Sequence, residues 1–388
     1  MTRDANLGLY FHVPFCARRC DYCDFFVIVG EDAGGQRDFF TWLKRDLDSA
    51  AARLESPAPR IDSIYLGGGT PSYVPASQVA SLLSACRGRF DVAPGAEVTL
   101  EANPESVTSE RVSDWLAAGI NRLSLGVQSF DDAVLAPRGR LYVATQAEAA
   151  ARIISGGGIE NLGIDLIAGL PGETTEGFRA GIERALALEP SHVSVYLIET
   201  DDALKETRLT REVRAGRERL AGEDETVEMY QTAVGMLTAA GYRHYEISNF
   251  ARPGLESVHN LKYWTGGAYL GLGPSAHSSV GGRRFGRPGD LAEWIAWVES
   301  GTGIPPGADY TLDSADARAR EALVLELRLI EGVNLADFAG RWGYDPSSRL
   351  RDEIASLVGD QLAVCKAGRL RLTRQGILMS NEVFARLT

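Results

Sequence analysis

Two patterns of apolar and polar positions alternate along the chain. Short, nearly continuous apolar runs at Leu7 to Val13, Ile61 to Leu66, Val98 to Glu101, Arg122 to Val127, Asn161 to Ile167 and His192 to Ile198 read as buried strands. Between them apolar residues recur at helical spacing. Phe39, Phe40, Leu43 and Leu47 mark a helix over Gln36 to Leu54. Further helices are predicted at Ser77 to Cys86, from Ser109 to a stop at Gly119, at Thr145 to Ser155 and at Thr174 to Leu188. A charged helical region, Arg208 to Ala240, leads to Tyr245 and Asn249. Apolar strands alternating with helices predict an α/β fold with a parallel sheet, and six such units predict a partial parallel (β/α)6 TIM-like barrel.

Beyond about residue 300 the pattern changes. Helices are predicted at Ala315 to Leu329, Leu335 to Trp342 and Ser347 to Leu357. Two alternating runs around Ala367-Gly368 then predict a hairpin, and a final helix runs from Arg374 to Leu387. Three helices, a hairpin and a helix resemble a C-terminal α+β winged-helix-like module. Gly and Pro cluster between Gly301 and Gly307, so the expected domains are 1–300 and 301–388.

The net charge of -12 bears on that module. A nonspecific nucleic-acid binder needs surplus Lys and Arg to displace phosphate counterions, so nucleic acid is not an expected partner. No apolar run approaches the ~18 residues of a membrane span, and the first apolar segment is broken by His12 and Pro14, unlike a signal or transit peptide. A cytoplasmic protein is the expectation. The five cysteines are odd in number and unevenly spaced, unlike a secreted disulfide framework. Cys86 and Cys365 lie in apolar-periodic segments and are expected in the core.

The other three, Cys16, Cys20 and Cys23, follow the first strand. In a parallel barrel the loops after the strands share one rim, where active sites lie. Gly67, Gly68, Gly69 and Thr70 follow strand two, Glu101 ends strand three, Gln128 ends strand four, and Asp165 lies near the end of strand five. Three thiolates in a C-x-x-x-C-x-x-C loop can ligate three irons of a cubane cluster and leave the fourth open to a small molecule. A zinc site with His12 as fourth ligand is the alternative, although zinc sites usually pair cysteines from two separated clips. The glycine run is either a turn or a place where backbone approaches a ligand without side-chain obstruction.

The cysteine spacing resembles the radical S-adenosylmethionine (SAM) enzymes. That resemblance implies a [4Fe-4S] cluster on Cys16, Cys20 and Cys23, SAM chelating the open iron, and one-electron cleavage of SAM to a 5′-deoxyadenosyl radical. Gly67-Gly68-Gly69-Thr70-Pro71 resembles the family's glycine motif beside the SAM ammonium. Glu101, Gln128, Arg140 and Asp165 match SAM-holding positions of the subgroup related to anaerobic coproporphyrinogen dehydrogenase, and Tyr10 and Tyr22 match aromatic positions beside the cluster and adenine. The dehydrogenase carries a fourth cysteine two residues beyond the third, where this chain has Phe25.

That feature is similar to the HemW-type haem chaperones, as are the runs Leu123 to Phe130, Asp165 to Gly172, Tyr245 to Gly254, Glu331 to Val333 and Leu370 to Thr373. The resemblance covers nearly the whole chain. His259, Asn260, Tyr263 and Trp264 match an H-N-x-x-Y-W motif that implies haem binding; a hydrogen-bonded corner of the barrel is the alternative reading. His277 is expected in a loop near the adenine. Where the family has Gly-Arg-x-His, this chain has Gly139-Arg140-Leu141-Tyr142. The implied function is to bind haem and deliver it to an apo-haemoprotein, with a flavodoxin or ferredoxin as electron donor. The alternative is a radical SAM methyltransferase or cyclopropanase acting on a specialised metabolite.

Overall fold

Six strands run parallel and pair in sequence order: β1 Asn6–Val13, β2 Arg60–Gly68, β3 Val92–Ala102, β4 Arg122–Gln128, β5 Asn161–Ala168 and β6 His192–Leu197. The structure, a computed structural model, describes residues 6–54, 59–198, 206–305 and 307–388. Because neighbours in sequence are neighbours in space, every crossover turns the same way and the carboxyl ends of the strands share one rim.

The crossovers carry α1 Ala33–Ala51, α2 Ala76–Arg89, α3 Ser109–Ala118, α4 Ala144–Gly156 and α5 Thr175–Leu186. Asp32 sets the start of α1 by accepting from the amides of Gly34 and Gly35, which places the helix three residues earlier than its apolar spacing predicts. Gly119, at φ 97°, ends α3 where expected. The predicted helix over 208–240 is two helices, Arg208–Arg214 and α6 Glu223–Ala239. Gly216 takes a left-handed φ of 69° after the first, and Gly222 caps the second.

Five more strands complete the sheet. β7 Arg243–Glu246 and β8 Asn249–Ala251 form a hairpin joined antiparallel to β6, and α7 Val258–Thr265 follows. β9 Ala268–Leu272 then pairs parallel with β1 as a seventh parallel strand, and β10 His277–Val280 and β11 Arg283–Gly286 extend that edge. The order is β11-β10-β9-β1-β2-β3-β4-β5-β6-β8-β7, so the two edges do not pair among the described residues and the barrel is partial.

The strands are less uniformly apolar than the sequence suggests. Leu9, Phe11, Ile64, Leu66, Leu100, Leu123, Leu125, Ile164 and Val193 pack with Phe40, Leu43, Leu82, Trp115 and Ile154 of the helices in one core. Alternate positions point the other way. That inner face carries Tyr10, Ser63, Tyr65, Glu97, Glu101, Arg122, Ser124, Asp165 and Ser194, which hydrogen-bond or pair with one another or with residues of the same face.

A second core gathers Leu323, Leu327, Val333, Phe338, Leu350, Leu357, Leu370 and Val383. Its hairpin, Ala363–Lys366 with Arg369–Leu372, turns through Ala367 (φ 51°) and Gly368 (φ 72°), the left-handed pair that a two-residue turn requires. The two-residue strand Val333–Asn334 adds a third member, too short to be read from the sequence. The helix predicted from Arg374 to Leu387 breaks at Met379 into Arg374–Leu378 and Ser380–Leu387. Cys86 is buried as expected, but Cys365 is exposed because it lies near the end of the hairpin's edge strand. No helix among the described residues is long and apolar enough to cross a membrane.

Glu173, just after β5, braces the loop that follows β4 by accepting from the Ser129 hydroxyl at 2.9 Å. Burial pushes its carboxyl up to about 8. The folded chain therefore holds a proton there that the unfolded chain releases near its ordinary range. Stability from this group is fully present at acidic pH and is lost as pH rises through about 8, at up to about 1.4 kcal/mol per pH unit. Glu173→Gln should flatten that slope when urea midpoints are compared between pH 5 and pH 8; an unchanged slope would remove Glu173 as its source.

Candidate functional site

The chain leaves β1 at Val13, and Pro14 starts the cysteine loop. Phe15–Cys16 pairs in parallel with Ile28–Val29, and the Ile28 amide donates to the Pro14 carbonyl at 2.8 Å, closing the loop at its base. The Cys23 amide donates to the Cys20 carbonyl at 3.3 Å, and the Arg19 guanidinium reaches the carbonyls of Cys23 and Phe25. From outside the loop Arg138, 2% exposed, pairs with Asp21 at 2.7 Å and with Glu218 at 2.6 Å. This fixes the loop against the segment after β4.

Cys16, Cys20 and Cys23 line a cavity of about 340 Å³ together with Tyr22, Gly68, Gly69, Thr70, Glu101, Gln128, Arg140 and Asp165. Gly67 and Tyr10 stand behind it. A Cβ on Gly67 would come within 2.9 Å of Glu101, and Tyr10 hydrogen-bonds His12 at 3.2 Å. Gly69 lies against the chain entering the cysteine loop, where a Cβ would meet the Pro14 carbonyl carbon at 2.6 Å and the Phe15 oxygen at 2.8 Å. The Gly68 amide donates to Glu101 at 3.0 Å. The glycine run is thus needed for packing as well as for access.

Glu101 also accepts from the Tyr65 hydroxyl at 2.8 Å, and burial pushes its carboxyl up to about 7. Asp165 accepts from Ser124 at 2.8 Å and Ser194 at 2.7 Å, yet burial still raises its carboxyl. Gln128 has a left-handed φ of 66° at an irregularity in the β4–β5 ladder, which turns its side chain into the cavity. Arg140 donates to Asn103 and to the Gly126 carbonyl, both at 3.2 Å. Asn103 in turn donates to Thr70 at 3.1 Å, and the Thr70 hydroxyl lies 3.4 Å from the Cys16 sulfur. Asn103 and Tyr65 were not picked out by sequence reasoning. Their signal is positional: Asn103 follows the end of β3, and Tyr65 is a polar residue within an apolar strand.

The donor set suits a cluster. Burial pushes the Cys16 thiol up to about 11 and raises Cys23 as well, so a cluster held by these thiolates would release their protons on binding. His12 does not serve as a zinc ligand here, because its ring nitrogens are bonded to the Tyr10 hydroxyl and, at 2.9 Å, to the Phe26 carbonyl. Among the described residues no three His, Cys, Asp or Glu side chains converge as a single ion would need; a cubane spreads its thiolates over separate irons.

The four residues of the H-N-x-x-Y-W motif lie on α7, and none of them lines the cavity. His259 is fully buried, with one ring nitrogen 3.0 Å from the Ser63 hydroxyl and the other 3.0 Å from the Tyr263 hydroxyl. The Arg328 guanidinium covers the Trp264 ring at 4.4 Å. Both ring nitrogens of His259 are engaged in this structure, whereas the buried Trp264 indole nitrogen has no hydrogen-bond partner among the described residues. His277 is also away from the cavity, at the start of β10 with its ring against Tyr310.

Residues 10–185 match the Radical SAM superfamily, and residues 313–379 match the HemN C-terminal domain. The solved coproporphyrinogen III oxidase (HemN) from Escherichia coli superposes with a TM-score of 0.86 at 22% identity, covering 99% of this chain and 90% of that one. Fold and cysteine loop are therefore those of the radical SAM class. The heme chaperone HemW of Mycobacterium tuberculosis is 37% identical, covering 94% of this chain and 92% of that protein. That of Bacillus subtilis is 32% identical, covering 97% of each. The chain belongs to the HemW family.

Gly69→Ala forces a methyl group against backbone at the base of the cysteine loop. It should cost about 1–3 kcal/mol and lower the thermal midpoint accordingly. A midpoint equal to wild type would mean that the loop can yield.

Proposed function

We propose that the chain carries a [4Fe-4S] cluster on Cys16, Cys20 and Cys23, binds SAM beside it, and binds haem for delivery to apo-haemoproteins. The observation that carries this reading is the convergence of the three cysteines with Thr70, Glu101, Gln128, Arg140 and Asp165 on one cavity. When bound, cluster and SAM supply one-electron chemistry; the protein's work is binding and orientation. Arg140 offers a guanidinium to the SAM carboxylate, while Glu101 and Asp165 accept from its ammonium and ribose hydroxyls. A flavodoxin or ferredoxin supplies the electron. In this reading residues 1–300 hold the cavity and residues 301–388 form the second unit, built on its own core.

The haem part rests on relatives named as heme chaperones at 30–37% identity over most of their length. They support that reading over a methyltransferase or cyclopropanase. The haem ligand is not assigned to His259, whose nitrogens are both engaged.

Anaerobic reconstitution with iron and sulfide should give a brown protein with about four irons per chain, and a haem titration of it should saturate and then reverse on adding an apo-globin. A colourless protein holding zinc would overturn the cluster; a cluster-loaded protein that binds no haem would overturn the chaperone.

The proton on Glu101 adds a second test. SAM, with its cationic groups, favours the carboxylate, so its affinity should rise as pH rises through about 7, and Glu101→Gln should lose that dependence in equilibrium dialysis. A dependence that survives the substitution would place the titrating group elsewhere.

A further inference from the structure

A second cavity, of about 520 Å³, lies where the C-terminal module meets the barrel, and none of the cysteine-loop residues lines it. On the barrel side its wall is one stripe of α6, Gln231, Val234, Gly235 and Thr238 at helical spacing, while Met229, Ala233 and Leu237 of the same helix are buried in the barrel core. On the other side stand the hairpin and the short helix after it. Val364 and Arg371 are paired across the hairpin and point the same way, opposite to Leu370 and Leu372 in the module's core. The walls are fixed relative to each other. Ile247 N donates to the Arg328 carbonyl at 3.1 Å and Ile330 N to the Tyr245 carbonyl at 3.2 Å, and Ile377 packs against both hydrophobic cores.

The lining has an apolar part and a cationic part. Val234, Ile330, Val364, Ile377 and Leu378 offer aliphatic surface, and Arg371 and Arg374 are exposed beside it. Among the described residues neither guanidinium has an acceptor, and no carboxylate lines the cavity. Elsewhere in the module Arg341, Arg349 and Arg386 each face a carboxylate, as is natural in a chain with a net charge of -12. The missing carboxylate leaves a local positive field over an apolar floor. His244 adds no charge to it: its Nε2 lies 3.1 Å from the Ile247 carbonyl, and burial pushes the imidazole down to about 4. Gly235 leaves the cavity open at its helical wall. A Cβ there would meet nothing within 4 Å, although glycine is a poor residue for a helix interior.

We propose that this cavity binds a small amphiphilic anion, an aliphatic chain ending in a carboxylate or a phosphate, with the chain on Val234, Ile330, Val364, Ile377 and Leu378 and the head at Arg371 and Arg374. The volume lies within the range of small-molecule sites, about 300–1,000 Å³. Exposed guanidiniums hold a bare anion weakly because water screens them, so the apolar wall supplies affinity and the cations select a charged head. The ligand would touch both units and hold the module against the barrel.

The test uses the cluster-reconstituted full chain, titrated calorimetrically with monomeric decanoate, decyl phosphate and decanol, and with inorganic phosphate as a head without a chain. Wild type should bind one decanoate or one decyl phosphate per chain, decanol about ten-fold more weakly and phosphate not measurably, and affinity for both anions should fall as salt rises. The double variant Arg371→Gln, Arg374→Gln should bind decanoate no better than decanol. Gly235→Phe should fill the cavity and abolish binding of all three chains; Gly235→Leu serves if the larger residue folds poorly. SAM affinity should be that of wild type throughout, and haem should not displace decanoate. The proposal is overturned if wild type binds no decanoate, if decanol binds as well as decanoate, or if the arginine variant or a folded Gly235 variant keeps wild-type affinity. Displacement by haem would also overturn it, as would binding to phosphatidylglycerol vesicles without binding of the monomeric anions.

Discussion

A partial barrel that carries charged side chains on its inner face has to give each of them a partner, because an unpaired buried charge costs several kcal/mol. Here the partners come from neighbouring strands. Arg122 on β4 lies 3.9 Å from Glu97 on β3, and Asp165 on β5 draws hydroxyls from β4 and β6. Glu101 draws one donor from β2 and one from the glycine run that follows it. The strand order is what makes these pairings available, since each polar residue finds its complement one strand away. Helix α7 closes the remaining gap, supplying backbone amides for Glu97.

The cysteine loop depends on the same economy of contacts. It has few apolar anchors of its own, and Phe25 is largely exposed. Its shape is set by hydrogen bonds to its backbone and by one buried guanidinium, Arg138, that faces Asp21. Gly69 lets β2 approach closely enough for the Thr70 amide to donate to the Phe15 carbonyl at 2.8 Å. That contact brings the Thr70 hydroxyl beside Cys16 and links the loop, through Asn103, to Arg140.

Much of this was legible in the sequence. The six parallel strands came from their apolar runs, and the rim residues came from their places at strand ends. β9 was not legible, because Gly271 interrupts its short run and its partner, β1, is distant in sequence. Nor was the break in the 208–240 region, where charged residues at helical spacing hide Gly216 and Gly222. Residues whose role is to hold another side chain, such as Tyr65, Asn103 and Arg138, carry no spacing signal, since their partners are distant in sequence. The exposure of Cys365 likewise depends on which strand is the edge, a property of the pairing and not of the local pattern.

The replacement of the family's histidine by Tyr142 shows how such support can change while the site residue stays. The irregularity at Gly126–Gln128 points Gln128 into the cavity but disturbs the ladder that would otherwise satisfy nearby carbonyls. Tyr142 is buried, and its hydroxyl lies 2.8 Å from the carbonyl oxygens of both Gly126 and Val127. Its ring backs the Arg140 guanidinium at 5.4 Å. The tyrosine therefore meets two demands of this corner: a donor for the disturbed strand end and a π-face for the cation. An imidazole in that place would offer the cation a smaller face. With Tyr142 behind it, Arg140 bonds Asn103 and the Gly126 carbonyl and presents its charge to the cavity, so the wall of the site is built from the tyrosine as much as from the arginine it supports.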